Sequence, residues 1–279
     1  MKVRQKTDCR ADGKPQTAQQ QTSRRRLVGL RVSEGYMQHP FDQMYGVRTS
    51  GLVAGRNLKT GHASDRHNTA YYGVAPSVFH DLVARWRSIR PAAPLSEYSF
   101  IDVGAGMGRA MMLASLLPFR TVVGVEMHPT LAGIARRNLA LWRKEQKPLA
   151  PLRLLCRDAV DYVLPPGPCV LFLFNPFGAP VLRRLARIWE QEFARRECPL
   201  DLLYVNHEHE LALRQRLGWT RLFAGEVRRS PEDTEAERRI LNNQPDGEYA
   251  ATSWEDCSIF RWMAKPEEPG KSSRKPCRV

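Results

Sequence analysis

The sequence lacks the long hydrophobic runs that mark membrane proteins. No apolar run in its 279 residues approaches the roughly 20 residues that a membrane-spanning helix needs. The N-terminal region has no apolar stretch that could serve as a signal-peptide core. The arginine run that follows Ser23 has too few apolar residues after it for twin-arginine export. With 42% hydrophobic and 26% charged residues, the composition predicts a soluble globular protein of the cytoplasm.

Cysteine is scarce and is never arranged as C-x-x-C. The six cysteines lie at positions 9, 156, 169, 198, 257 and 277, mostly inside apolar segments. This scatter is typical of reduced thiols in a core and argues against a disulfide framework or a zinc site. We therefore predict no metal site.

Positive charge is in excess, and most of the excess lies at the two ends of the chain. Of the net charge of +14, residues 1–32 contribute +7 and residues 265–279 contribute +3, which leaves +4 for the rest. We expect residues 1–40 and 265–279 to be basic, disordered tails. Such tails can contact nucleic acid, but solvated tails are the simpler interpretation, and the oligomeric state stays open.

From Tyr98 onward, short apolar runs alternate with longer amphipathic ones. This alternation predicts a mostly parallel sheet with helices on both faces, over a domain of residues 98–264. The predicted strands are 98–103, 120–126, 152–158, 170–175, 201–206, 219–225 and 257–264, and the predicted helices are 107–118, 129–145, 179–197 and 209–218. Residues 226–255 are polar and acidic without clear periodicity, which predicts a long or disordered loop.

Residues 41–97 precede this sheet and form a predicted helical segment. A helix beginning near Pro76 would carry Val78, Phe79, Leu82, Val83 and Trp86 on one face. Its apolar face would pack against the sheet, or the segment would cover the upper edge of the sheet as a lid.

The most informative stretch is FIDVGAGMGRAM, residues 100–111. A strand ends at Asp102 and Val103, three glycines follow at 104, 106 and 108, and a helix begins. Glycines let the backbone turn sharply and approach a ligand at the helix start. Glu126 ends the next strand, where a carboxylate can accept both hydroxyls of a ribose. The glycine loop, its position between a strand and a helix, and the downstream acid together predict a nucleoside cofactor.

The order acid, x, G-x-G-x-G resembles the first motif of the class I S-adenosylmethionine-dependent methyltransferases. The dinucleotide fingerprint would instead put its third glycine at position 109, where this chain has Arg109. The resemblance covers about residues 98–264. It implies a Rossmann-like three-layer α/β sandwich whose seven-stranded, mostly parallel sheet has an antiparallel last strand, and it implies S-adenosyl-L-methionine as the cofactor.

The resemblance also assigns roles to individual residues. Asp102 would lie near the amino end of the methionine moiety and Glu126 would hold the ribose. Asp158 would accept from the adenine amino group, and Ala159 would donate its backbone N–H to the ring. Each acid could instead be only a helix cap. The implied cofactor-binding set is Asp102, Gly104, Ala105, Gly106, Gly108, Glu126, Met127, Asp158, Ala159 and Asn175.

The stretch CVLFLFNPFG, residues 169–178, contains the predicted fourth strand and the turn that follows it. Asn175, Pro176 and Phe177 resemble a shortened form of the motif with which amino-group methyltransferases hold their acceptor, and they are the predicted catalytic residues. The amide oxygen of Asn175 and a backbone carbonyl would accept from an amine, while Phe177 would pack on the acceptor or tuck into the core. The second proline of that motif is missing. A bacterial subgroup with FD-x-x-YG-x-x-TSG and LFNPF segments is similar to this chain but implies no specific acceptor.

Other polar and aromatic residues are weaker candidates. The run His207, Glu208 and His209 could supply a base or a metal ligand, but solvated capping residues fit better. Tyr45, Tyr71 and Tyr72 would line the acceptor side or pack in the core, and Arg109 would contact solvent or the lid.

The leading hypothesis is methyl transfer to a nitrogen of a protein or a small molecule. The alternatives are a non-catalytic Rossmann-like module that binds nucleic acid through its basic tails and, less favoured, a nicotinamide-dependent oxidoreductase.

Overall fold

The computed structural model describes residues 37–196, 198–243 and 250–264. These residues form seven strands and seven α-helices. The strands are β1 (Ser99–Val103), β2 (Thr121–Glu126), β3 (Leu152–Cys156), β4 (Cys169–Phe174), β5 (Leu200–Val205), β6 (Trp219–Arg228) and β7 (Trp254–Trp262). The helices are α1 (Pro40–Tyr45), α2 (Pro76–Ser88), α3 (Arg109–Ser115), α4 (Pro129–Glu145), α5 (Ala179–Phe193), α6 (Leu211–Arg214) and α7 (Pro231–Asn242).

All seven strands belong to one sheet with the order β3-β2-β1-β4-β5-β7-β6. Strands β1 to β5 are parallel, and β7 runs antiparallel between β5 and β6. The predicted α/β sandwich with an antiparallel last strand is therefore confirmed. The chain order reverses between β1 and β4, and in such sheets this point opens a crevice beyond the carboxyl ends of the strands.

A hydrophobic core lies on each face of the sheet. Helices α2, α3 and α4 bury their apolar faces on one side, and α5 and α6 do so on the other. The apolar face predicted for α2 is confirmed, since Val78, Phe79, Leu82, Val83 and Trp86 are all buried. Proline at the first turn of α2 and of α4 fixes where each helix begins.

Residues 226–255 differ from the predicted loop. Strand β6 continues to Arg228, and α7 follows with Ser230 as N-cap, whose side chain accepts from the N–H of Asp233. The inner face of α7 buries Asp233 and Glu237 beside apolar residues. Only Ala236, Ile240 and Leu241 are apolar among its buried residues, so the sequence of this helix is mostly polar although its inner face recurs with helical spacing.

Three predicted helices are shorter in the structure. Helix α3 spans Arg109–Ser115 instead of the predicted 107–118, and α5 ends at Phe193 instead of at 197. Helix α6 spans four residues, Leu211–Arg214, instead of the predicted 209–218. Gly218 lies beyond α6 with φ +87°, a left-handed conformation that ends the turn following the helix.

The segment before α2 crosses the carboxyl edge of the sheet. It has two short 3₁₀ turns, Gly55–Asn57 and Ala63–His67, and a bridge that pairs Val53 with Tyr71. A second bridge pairs Asn68 with Phe177, directly after β4. The segment therefore forms a wall over the crevice.

No helix in the described part of the chain is both long and apolar enough to cross a bilayer. The described cysteines are free thiols: Cys169 and Cys257 are buried, Cys198 is half-buried and Cys156 is exposed. Cys9 and Cys277 lie outside the described residues, as do residues 1–36 of the N-terminal tail and the C-terminal tail from 265.

Candidate functional site

Two side chains, Pro176 and Tyr71, lie directly against the glycine loop after β1. Gly104, Gly106 and Gly108 have φ values of +79°, +54° and +90°, in the left-handed region that favours glycine. A Cβ on Gly104 would come within 2.5 Å of Pro176, and one on Gly106 within 2.2 Å of the Tyr71 ring. Glycine is thus required both by the turn and by the close approach of these rings.

Glu126 joins the end of β2 to the glycine loop. Its Oε2 accepts from the N–H of Gly106 at 2.7 Å and its Oε1 from the N–H of His128 at 2.7 Å. Burial raises the pKa of Glu126, against the opposing effect of these backbone hydrogen bonds. Each carboxylate oxygen keeps a further lone pair, so the side chain can still accept ligand hydroxyls.

Asp102 is a buried carboxyl without a complete set of partners. It is 4% exposed, and its Oδ2 accepts no hydrogen bond among the described residues. Burial raises its pKa to about 8, and the charge of Glu126 adds to the effect. It lines a small cavity with Gly104, Ala105 and Tyr72. An uncompensated acid in such a place favours a bound cation.

Asp158 follows β3 and caps the short turn Ala159–Asp161. Its Oδ1 accepts from the N–H of Val160 at 3.0 Å, while its Oδ2 is buried without a hydrogen bond. Nδ1 of His62 lies 3.6 Å from Oδ2, but this nitrogen itself accepts from the N–H of Ser64 and so has no proton to donate. Asp158 therefore combines the capping role with a free acceptor.

Asn175 lies directly after β4, with φ +38° and 6% exposure. Its Oδ1 accepts from the hydroxyl of Tyr204 at 3.2 Å, and its backbone carbonyl accepts from the hydroxyl of Thr69. The two acceptors expected to receive an amine thus already have protein donors. Phe177 tucks into the core beside β4 and β5 while still lining a cavity.

Two adjoining cavities lie along the carboxyl edge of the sheet. We call the first the glycine-loop cavity; five predicted cofactor residues line it, namely Gly104, Glu126, Met127, Asp158 and Ala159, together with Tyr71, Pro176 and Phe177. We call the second the outer cavity; its volume is about 480 Å³ and Asn175 lines it. Both cavities share a wall formed by Asn68, Thr69, Ala70, Tyr72 and Phe174.

The outer cavity contains residues that the sequence did not single out. Apart from Glu208, its charged residues are Arg229, Glu237, Glu255 and Asp256. Arg229 directly follows β6, Glu237 lies in α7, and Glu255 and Asp256 lie in β7, all far along the chain from the glycine loop. Neither spacing nor a motif links them, so only the fold brings them to the site.

The remaining candidates divide between core and site. Tyr45 packs in the core against Phe41 and Trp142, whereas Tyr71 and Tyr72 line cavities. Nδ1 of His207 lies 3.8 Å from Oε2 of Glu210. Within the described residues, no group of three or more His, Cys, Asp or Glu side chains is placed to hold a metal ion.

Arg109 is buried, so the prediction of a solvent contact is wrong and the alternative of a contact with the N-terminal segment is correct. Its Nε donates to Oγ1 of Thr49 at 2.6 Å, and its Nη1 donates to the carbonyls of Gly73 and Val74, both at 3.2 Å. Asp42 lies 3.7 Å away and accepts from Thr49 and Ser50. These partners precede Arg109 by up to 67 residues, so no local pattern could reveal them.

Comparisons with known proteins give only distant similarities. No family model matches the chain, and no curated protein is similar to it. Among solved structures, the chain is similar to a magnesium protoporphyrin IX methyltransferase (ChlM) from Synechocystis PCC 6803 with bound SAM, with 12% identity over 67% of this chain and 77% of that chain and a TM-score of 0.41.

Two further solved structures contain S-adenosyl-L-homocysteine. A SAM-dependent methyltransferase from Thiobacillus denitrificans is 14% identical over 68% of this chain and 93% of that one, with a TM-score of 0.40. An RNA methyltransferase from Salinibacter ruber is 16% identical over 69% of this chain and 94% of that chain, with a TM-score of 0.39.

Proposed function

We propose that the chain is an S-adenosylmethionine-dependent methyltransferase of class I that methylates a nitrogen of a protein or a small molecule. The observation that carries the proposal is the unpartnered, buried carboxyl of Asp102 beside the glycine loop. Two more carboxylates line the adjoining cavity: Glu126 at the end of β2 and Asp158 just after β3. Three acids around one crevice suit a cationic nucleoside better than a phosphate-bearing one.

The residues present fit the cofactor at each of its parts. Asp102 would pair with the α-ammonium group, since its free Oδ2 has no protein donor. Glu126 would accept from the ribose hydroxyls, and Asp158 with its free Oδ2 would accept from the adenine amino group. When bound, the sulfonium cofactor supplies an electrophilic methyl group.

The protein itself would supply orientation and exclusion of water. Pro176 and Tyr71 lie over the glycine loop, and Asn175 lies on the outer-cavity side of the shared wall. An acceptor in the outer cavity would therefore meet the cofactor at the end of β4. Holding the two reactants in this way converts a bimolecular step into an effectively unimolecular one, the largest contribution that the protein must make. In this proposal, residues 98–264 are the catalytic domain and 41–97 complete its site.

Calorimetric titration with S-adenosylmethionine and S-adenosylhomocysteine tests the proposal. The wild type should bind both, and Glu126→Gln should weaken binding about tenfold or more because one ribose acceptor is lost. Asn175→Gly, which tolerates the left-handed backbone at this position, should bind the cofactor nearly as well as the wild type but lose turnover.

Glu145→Gln is the matched control for the charge change, since Glu145 is exposed near the end of α4. Absence of binding by the wild type, or undiminished binding by Glu126→Gln, would refute the proposal. Incubation of a cell lysate with radiolabelled cofactor would then show whether the label enters protein or small molecules.

A further inference from the structure

The outer cavity has the size and the position of an acceptor site. Its volume of about 480 Å³ lies within the range of small-molecule sites. It touches the glycine-loop cavity across one shared wall and reaches Asn175 at the end of β4. A molecule bound there would lie next to whatever occupies the glycine-loop cavity.

Negative charge dominates the lining of this cavity. Four carboxylates, Glu208, Glu237, Glu255 and Asp256, face one cation, Arg229. Arg229 is already matched, because its Nη1 lies 2.6 Å from Glu237 and its Nη2 contacts Glu255. Burial raises the pKa of Glu237 to about 7 despite the charge of Arg229. Even with Glu237 protonated, the lining stays negative.

Glu208 and Asp256 provide the charge that is left for a ligand. Both side chains are exposed, and neither forms an ion pair with a cation among the described residues. The backbone carbonyl of Asp256 accepts from the N–H of His207, which places the two acidic residues at the same edge of the cavity.

Aromatic rings complete the lining. Trp254 is 41% exposed, while Tyr72 and Phe174 form part of the wall shared with the glycine-loop cavity. An ammonium group over such a ring is attracted by its negative face. Rings and carboxylates together are the groups that recognise organic cations.

An unpartnered donor at the cavity independently indicates a polar ligand. Asn175 is 94% buried and lines the cavity, and its Nδ2 donates no hydrogen bond among the described residues. Because the hydroxyl of Tyr204 donates to Oδ1 of Asn175, the other end of the amide is the Nδ2 donor. The two amide N–H groups therefore remain for an acceptor atom of a bound molecule, which must lie apart from its ammonium group because an ammonium group only donates.

We infer that the outer cavity binds an acceptor bearing an alkylammonium group, carried either by a small amine or by a lysine side chain. The ligand is a methyl acceptor only if the proposed function holds. The binding of an organic cation follows from the lining of the cavity and does not depend on that function. The single buried guanidinium makes an anionic ligand the competing interpretation, and the test separates the two.

Three probes of equal length and different charge provide the test. Cadaverine is a dication, the corresponding pentane diol is neutral, and glutarate is a dianion. Each is titrated by calorimetry into the full chain, with and without S-adenosylhomocysteine. Cadaverine should bind and the other two should not. A short peptide with a central lysine forms a further arm, and tighter binding of this peptide than of cadaverine would identify a protein acceptor.

Charge variants assign the binding to the cavity. The double variant Glu208→Gln with Asp256→Asn should weaken cadaverine binding about tenfold, because two carboxylates near the cation are neutralised. The matched control Glu145→Gln with Glu232→Gln removes two exposed carboxylates outside the cavity and should bind as the wild type does.

The outcomes separate this inference from the proposed function. Equal binding of the diol, tighter binding of glutarate or an equal loss in the control would overturn the inference. Binding of S-adenosylhomocysteine without cadaverine would overturn it while leaving the proposed function intact. Binding of cadaverine with the expected charge dependence, but of no cofactor, would support the cation site and refute the methyltransferase.

Discussion

Asp102 is a buried carboxyl whose pKa lies far above that of a free side chain. Its carboxyl is buried and lacks a hydrogen bond to Oδ2, and burial raises its pKa to about 8. Because the unfolded chain releases this proton near the ordinary value of 3.8, the folded protein holds more protons between these two pH values. The free energy of unfolding contributed by Asp102 therefore falls as the pH rises through this window.

Asp102→Asn should remove this pH dependence. We expect the ligand-free variant to melt at a higher temperature than the wild type at about pH 9, because the amide carries no charge to bury. The difference in melting temperature should be smaller at about pH 5. The same change should weaken cofactor binding at least about tenfold by removing the partner of the ammonium group. Thermal scans across pH and calorimetry measure the two effects.

Asp161→Asn is the control, since Asp161 is exposed beside the site. A variant that is less stable than the wild type at every pH would show that Asp102 stabilises the fold and is not held for a ligand.

At the scale of the element, the carboxylate of Asp233 joins the start of α7 to the start of α2. Asp233 accepts from the N–H of Ser77 at 2.8 Å and from its hydroxyl at 2.5 Å, and it lies 3.2 Å from Nε2 of His39. The N–H of Ser230 donates back to the hydroxyl of Ser77 at 2.9 Å. These bonds join the start of α7 to the start of α2, and α7 in turn carries one wall of the outer cavity through Glu237.

Asp233→Ala should loosen α7 while the rest of the fold persists. Leaving the donors of Ser77 unpaired costs on the order of 2 kcal/mol in the free energy of unfolding. Hydrogen exchange should increase first in residues 231–242. Burial alone would raise the pKa of Asp233, but the nearby imidazole of His39 and the hydrogen bonds from Ser77 lower it to about 2. Its contribution is therefore present above pH 3.8 and is lost as the pH falls toward about 2.

The neighbouring residue Glu232 is exposed, and Glu232→Ala should leave both hydrogen exchange and the melting temperature unchanged. Equal behaviour of the two variants would mean that α7 is held by its apolar residues alone.

The elements also show which patterns in the sequence are informative. Helix α4 begins and ends at the predicted residues, because proline fixes its start and apolar residues recur along one face. Helix α7 was missed because its sequence is mostly polar, with Ala236, Ile240 and Leu241 as the buried apolar residues and Asp233 and Glu237 beside them. Its cap, Ser230 followed by Pro231, was the local signal available.

The candidate site likewise combines residues whose meeting could be predicted with residues whose contacts could not. Asp102, Glu126 and Asp158 could be predicted to meet, because the carboxyl ends of parallel strands share one edge of the sheet. Tyr204 and Thr69, which engage Asn175, could not, since their contacts arise from strand pairing and from a loop that crosses the edge.

At the scale of the whole molecule, Arg109 joins the N-terminal segment to the glycine loop. It is the first residue of α3, and its guanidinium lies within hydrogen-bond reach of Thr49, Ser50 and two backbone carbonyls. Asp42 balances the charge and accepts from the same two side chains. The segment over the crevice is therefore tied to the sheet by a buried polar network.

Arg109→Met should lower the free energy of unfolding by about 3–5 kcal/mol, because Asp42 keeps a buried charge without its cation. Adding Asp42→Asn should cost less than the sum of the two single changes, since the network is already broken. Denaturant unfolding of the four proteins measures this coupling. Arg137→Met, on the exposed face of α4, is the control. Strict additivity would show that the two side chains act independently.

The wall shared by the two cavities has a consequence for how ligands influence one another. Residues 68–70, Tyr72 and Phe174 line both, so a molecule that shifts this stretch from one side changes the shape of the other. Linkage makes such an influence mutual, since the factor by which one ligand alters the affinity for a second is the factor by which the second alters the affinity for the first. We therefore expect ligands in the two cavities to alter each other's affinity through these shared residues.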